Sequence, residues 1–165
     1  MLLTIIRSLT MMVGLFLLLF AGVALIQDKR LFSSAPKEVV DVIQPREERF
    51  KGAHILGWII AVVAMILMIA PFIIGAIDGI RLEYTFLQFF IRFFIMVLLI
   101  KVYDIVFFDW ILLCNKGLNF FPHYYPETMD VLNPSLFGFN RKSHIVQLAC
   151  YTVIAIVIAF VCTLF

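Results

Sequence analysis

The sequence predicts an all-α integral membrane protein of about four transmembrane helices in a small bundle, and three observations predict it. Hydrophobic residues fill 64% of the 165 positions and charged residues only 15%, far from the balance of a water-soluble domain. Four stretches, about 2–26, 55–77, 86–113 and 145–165, match the ~20 mostly apolar residues that a bilayer-crossing helix requires. None alternates apolar with polar residues as a barrel strand does, and in lipid only a helix satisfies its own amides within one segment. The whole chain, 1–165, reads as a single membrane domain with polar connections at 27–53 and 114–144.

The first stretch ends in a charged stop, Asp28-Lys29-Arg30. A cleaved signal peptide, with Arg7 as a weak n-region and Gly22-Val23-Ala24 as the cleavage site, is the alternative for this segment. The apolar run continuing through Leu25 and Ile26 suits a retained span better. In the first connection, residues 36–43 predict a short amphipathic interfacial helix that turns Val39, Val40 and Ile43 toward the membrane. Pro45 suits the first position of a helix leading into the second span. The short link around Gly79 predicts an antiparallel hairpin of spans two and three, and the aromatic run Phe120 to Glu127 suits packing at headgroup level.

Two helix faces carry small residues. In the second span one stripe reads His54, Gly57, Ala61, Ala64, Met68, Pro71, Gly75 and Asp78, and Gly79 adds a small-xxx-small pair with Gly75. In the fourth, His144, Gln147, Tyr151, Ala155 and Ala159 align. Such faces let helix backbones approach closely where lipid supplies no hydrophobic driving force. The third span has no Gly or Ala, so its Phe and Leu side chains are expected to fill the grooves that the small faces leave.

With four spans, the termini and the second connection share one side, which carries Arg7 and Arg81. The other side holds Lys29, Arg30, Lys37, Arg46, Arg49, Lys51, Lys116, Arg141 and Lys142. The positive-inside rule therefore puts connections 27–53 and 114–144 in the cytoplasm and both termini outside.

Ionisable groups within a span are costly, which makes Arg92, Lys101 and Asp104 the most informative residues, with Asp109 near the helix end. Lys101 and Asp104 are three apart and can pair; Arg92, nine before Lys101, lies on the opposite face near the outer surface, where it either snorkels or meets Asp78 or Glu83. A sharper expectation gathers Asp104, Asp109, His123, Glu127, His144 and Tyr151 into one polar pocket on the cytoplasmic side, to which His54 also belongs. Asp109, His123, Glu127 and His144 are its candidate catalytic groups, since a carboxylate and an imidazole within reach of each other can move a proton on a lipid or other amphiphile.

Other chemistries find little footing. A net charge of +2 with aromatics buried in apolar runs offers no nucleic-acid groove. The cysteines Cys114, Cys150 and Cys162 show no CxxC spacing, and no His-xxx-His or Glu-xx-His pair marks a metal site, so no metal is expected and no cofactor is identified. There is neither a Gly-x-Ser-x-Gly elbow nor a phosphate-cradling glycine loop. Three functions remain. The leading one is a subunit of a membrane assembly, homo-oligomeric or bound to a partner membrane protein, whose small faces exceed what one small bundle needs internally. A transporter or channel component using Lys101 and Asp104 is the second, and a membrane-embedded enzyme acting on a lipid the third. The balance leans away from an enzyme, and membrane lipids are the one partner common to all three.

Overall fold

A computed structural model of the chain describes residues 2–32, 37–113, 120–132 and 141–165. Cys114, Lys116 and the helix start expected at Pro36 lie outside the described residues. All regular structure among the described residues is helical. Helix α1 (Leu2–Phe20) continues as a π-helical segment, Ala21–Ile26, and is followed by a 3-10 turn at Lys29–Phe32 and the short α2 (Lys37–Val42). The long α3 (Ala53–Arg81) runs unbroken through Pro71. Helix α4 (Phe86–Tyr103) also continues as a π-helix, Asp104–Leu113, and the chain closes with α5 (Phe120–Tyr124), a 3-10 turn (Pro126–Thr128) and α6 (Arg141–Cys162). Three helical stretches, Leu2–Ile26, Ala53–Arg81 and Lys142–Cys162, are long and apolar enough to cross a membrane. The fourth long rod, α4 with its π-helical extension, carries Arg92, Lys101, Asp104 and Asp109.

The small-residue stripe of α3 is spent inside the chain. Gly57, Ala61, Ala64, Pro71, Gly75 and Gly79 are all buried, and the stripe serves two neighbours in turn. Toward the N-terminal half of α3 it receives α1: a methyl added at Gly57 would stand 2.6 Å from Ile26 Cγ1, and one at Gly14 would stand 2.9 Å from the Ala64 carbonyl oxygen. Toward the C-terminal half it receives α4, where Phe93 lies over Gly75 and Phe89 presses so closely on Gly79 that a Cβ there would overlap the ring. Phe89 and Phe93 stack on each other, 6.1 Å between centroids, and share a core with Met11, Met96, Ala155 and Ala159. Helix α1 thus touches both α3 and α4, and α4 in turn carries α6.

The start of α3 differs from expectation. Residues from Gln44 to Gly52 are not helical, so Pro45 does not open the helix. Glu48 is the reason α3 begins where it does: its carboxylate accepts the backbone N–H groups of Gly52 (3.1 Å) and His54 (2.9 Å), two donors that the first turn leaves orphaned. These amides, the His54 one first, hold the Glu48 carboxyl below its usual range. At the other end of α3, Thr85 and Gln88 form a capping box that starts α4 directly after the turn.

The amphipathic stripe of α2 is present but has a different partner. Val39 and Ile43 pack against Phe32, Phe121 and Tyr125 of the chain itself rather than facing outward. Apolar side chains follow whichever apolar surface is nearest, and here the second connection folds over the first. Tyr125 donates its hydroxyl to the Val23 carbonyl oxygen (3.2 Å), and burial pushes its phenol pKa up. Glu127 accepts from the Gln44 backbone N–H (3.1 Å) and from the Arg46 guanidinium (2.6 Å). Burial raises the Glu127 carboxyl, but these donors and its own backbone amide more than offset that and hold it below the usual range. Arg46 and Arg49 lie over the rings of Tyr125 and Tyr124 at 5.4 and 5.1 Å. Both connections therefore cap the same end of the molecule.

Candidate functional site

Beneath that cap lies a pocket of about 330 Å³. Its walls are mostly apolar: Leu15, Leu18 and Leu19 of α1, Trp58 and Ala61 of α3, and Phe108, Phe120 and Phe121. One wall is polar and is built by the π-helical end of α4 and the first turns of α6, which contribute Asp104, Asp109, Ser143, His144 and Gln147.

The backbone explains how two aspartates reach one wall. Residues five apart on an α-helix point about 140° away from each other. A π-helix closes i→i+5 hydrogen bonds with a wider turn, which brings such residues much closer to a common face, and Asp104 and Asp109 sit in a π-helical stretch. The spacing read as α-helical conceals this alignment.

Within the wall two networks stand side by side. Lys101, only 3% exposed, donates to Asp104 at 2.5 Å and to the Gln147 side-chain oxygen at 2.6 Å. Gln147 in turn donates to Ser143 Oγ at 3.1 Å. The Lys101 charge is thus matched by Asp104 and its ammonium is held by an α4–α6 clasp. In the second, His144 Nε2 stands 2.7 Å from Asp109 Oδ2, both side chains 11% exposed. The two atoms are close but out of line for a hydrogen bond, so Asp109 Oδ2 and both ring nitrogens of His144 are buried without a hydrogen-bond partner among the described residues. Proximity fixes an electrostatic pairing whenever the imidazole is protonated, while the unmade hydrogen bonds leave donor and acceptor capacity unspent.

The residues singled out from the sequence separate into three groups. Asp104, Asp109 and His144 come together on the pocket wall. Glu127 is committed to tying the two connections, His123 is exposed on the cap beside the Tyr124 ring, and Tyr151 and His54 do not line the pocket. Arg92 meets neither Asp78 nor Glu83. Its guanidinium donates to the Gly75 carbonyl (2.8 Å) and the Tyr84 hydroxyl (2.7 Å) and lies 4.4 Å over the Tyr84 ring, while Asp78 is taken by Arg7 of α1. Ser143 and Gln147, which complete the polar wall, were not picked out for chemistry from the sequence, although the alignment of Gln147 with His144 on α6 signals that wall. Ser143 is bonded to Gln147, and as the immediate neighbour of His144 it projects about 100° away on the helix, so the three do not form a Ser-His-Asp relay. Among the described residues no three His, Cys, Asp or Glu side chains gather to hold a metal ion.

No family model, curated protein or solved structure matches the chain.

Proposed function

We propose that the chain is a four-span membrane protein that holds an amphiphile, with the polar head against Asp109 and His144 and the apolar part between α1 and α3. The observation that carries this reading is the pocket itself: a mostly apolar space with one polar wall, on which an acceptor and an imidazole are buried with unspent hydrogen bonds. Burying such groups costs about 1–3 kcal/mol each unless something satisfies them, and a bound head does so. Pockets of a few hundred Å³ with apolar walls and a few convergent polar groups are the usual form of small-molecule sites.

Four crossings are supported by three long apolar helices together with α4 and its extension, in which Arg92, Lys101 and Asp104 are bonded within the chain. Both connections meet at one end, as an antiparallel up-and-down arrangement requires, and that end bears most of the lysines and arginines, so it is assigned to the cytoplasm and the termini to the outside. Membrane lipids are then its immediate partners.

The subunit reading drew on small faces left over for another protein, yet those faces are buried within this chain. Transport through α4 drew on Lys101 and Asp104, which are engaged with each other and with Gln147. The amphiphile reading uses Asp109 and His144, which stand close enough to pair yet leave hydrogen-bonding capacity unspent. Acid–base chemistry by Asp109 and His144 on the bound head is a second step open to the same site, favoured by their 2.7 Å separation.

Native mass spectrometry of the protein released from lipid nanodiscs tests the binding. The wild-type chain is expected to carry one retained amphiphile, and Asp109→Asn with His144→Ala to lose it at unchanged fold. Retention of the same species by that double variant, or its absence from the wild type, rejects the reading.

A further inference from the structure

The pocket adjoins a second, more open hollow. Leu18, Trp58 and Ala61 line the pocket on the α1–α3 side, and the same three residues line this hollow of about 530 Å³. That hollow follows the outer face of α3 down to Ala70 and Ile73, and everything lining it is apolar. Its rim is open to the surroundings of the helices: Trp58, Val62 and Ile66 are all more than half exposed. The polar pocket and the groove are therefore neighbours, with Leu18, Trp58 and Ala61 shared between them.

From Trp58 to Ile73 the groove covers about 22 Å of helix, whereas one leaflet of a hydrocarbon core ~30 Å thick has a depth of about 15 Å. A short-chain molecule would leave most of it unfilled. The head is constrained as well. Asp109 Oδ2 needs a donor, and a protonated ring nitrogen of His144 needs an acceptor. A hydroxyl supplies both at once, an ammonium only the first. A phosphate finds no lysine or arginine among the described residues that line the pocket, and Lys101 behind the wall is already matched by Asp104.

We propose that this site takes a long-chain amphiphile with a hydroxylated, uncharged head, admitted sideways from the bilayer past Trp58 and held with its chain in the α3 groove. The inference rests on the pocket reading above and adds the portal, the chain length and the head chemistry. Trp58 and Ala61 are the portal residues: one an aromatic that can shift between groove and lipid, the other small enough to let a chain pass.

The test measures binding of two monoacylglycerols, hexadecanoyl and hexanoyl, and of hexadecylamine to the full chain in phosphatidylcholine nanodiscs, by native mass spectrometry with titration. Ala70→Trp fills the groove far from the polar wall and is expected to weaken the hexadecanoyl compound about tenfold or more, as overpacking does, while leaving the hexanoyl compound unchanged. Asp109→Asn is expected to weaken both. If Ala70→Trp leaves long-chain binding untouched while Asp109→Asn reduces it, the groove inference is overturned and the pocket reading stands. If neither monoacylglycerol binds the wild type, the pocket reading falls and this inference with it. Tighter binding of hexadecylamine than of hexadecanoylglycerol overturns the hydroxyl assignment. A second bulky variant, Ile69→Trp, gives the same readout if Ala70→Trp does not fold.

Discussion

Lys101 and Asp104 offer the sharpest test of why charges are kept inside this chain. The ammonium is 4% exposed at the side chain and touches two acceptors, Asp104 and Gln147, at 2.5 and 2.6 Å. Asp104→Asn removes the balancing charge and leaves a buried cation with neutral oxygens only. Breaking a buried pair in this way costs about 3–5 kcal/mol, and because Asp104 is 30% exposed the value expected is about 3 kcal/mol. Lys101→Met strands a carboxylate that can turn toward the pocket, so about 1–2 kcal/mol is expected. Replacing both, as Lys101→Met with Asp104→Leu, removes two desolvated charges together and should fall within about 1 kcal/mol of the wild type, the remaining loss being the Gln147 contact. The double variant should thus be more stable than the sum of the singles by at least about 3 kcal/mol. Equilibrium unfolding in mixed micelles of rising denaturing-detergent fraction, followed by near-ultraviolet circular dichroism, reads these differences. Additive losses in the double variant would refute a purely structural role for the pair.

Further outcomes follow from other contacts. Gly79→Ala drives a methyl into the ring of Phe89, which is 1% exposed and cannot move aside freely, so a loss of about 1–3 kcal/mol is expected in the same unfolding assay. Gly22→Ala, whose nearest neighbour would be Leu31 Cδ1 at 3.8 Å, should stay within about 0.5 kcal/mol of the wild type. The Glu127 carboxyl lies below its ordinary value of 4.5 when folded, so its tie between the connections is fully present above pH 4.5 and is lost as pH falls through the lowered folded value. Hydrogen exchange at the Gln44 amide should accelerate only in that acidic window, and in Glu127→Gln the acid dependence should disappear.

Much of the architecture could be read from local pattern, because a membrane helix announces itself by length and composition and its close-packing face by small residues. The small residues Gly57, Ala61, Ala64, Gly75 and Gly79 of α3 and Ala155 and Ala159 of α6 share their faces by periodicity alone, and all of them are buried. The Lys101–Asp104 pair is likewise a local, three-residue relation. What could not be read depends on tertiary contacts or on an altered helical period. Arg7 and Asp78 are 71 positions apart, and their pairing diverts Arg92 to Gly75 and Tyr84. Glu127 looked like a candidate acid because its partners, Gln44 and Arg46, come from the other connection. Asp104 and Asp109 share a wall only because the backbone widens to π-helical hydrogen bonding there, which composition does not reveal. The α2 stripe was legible as apolar, but an apolar stripe does not say whether protein or lipid will cover it.

The central claim, that an amphiphile occupies the space between α1 and the Asp109–His144 wall, is tested most directly by photocrosslinking in native membranes. p-Benzoylphenylalanine would replace Leu19, which lines the pocket, and in a second chain Val153, which is 58% exposed on α6. The account predicts that the Leu19 position captures one lipid species far above its abundance in the membrane, while the Val153 position captures the bulk mixture. Capture of the same bulk mixture at both positions would contradict it.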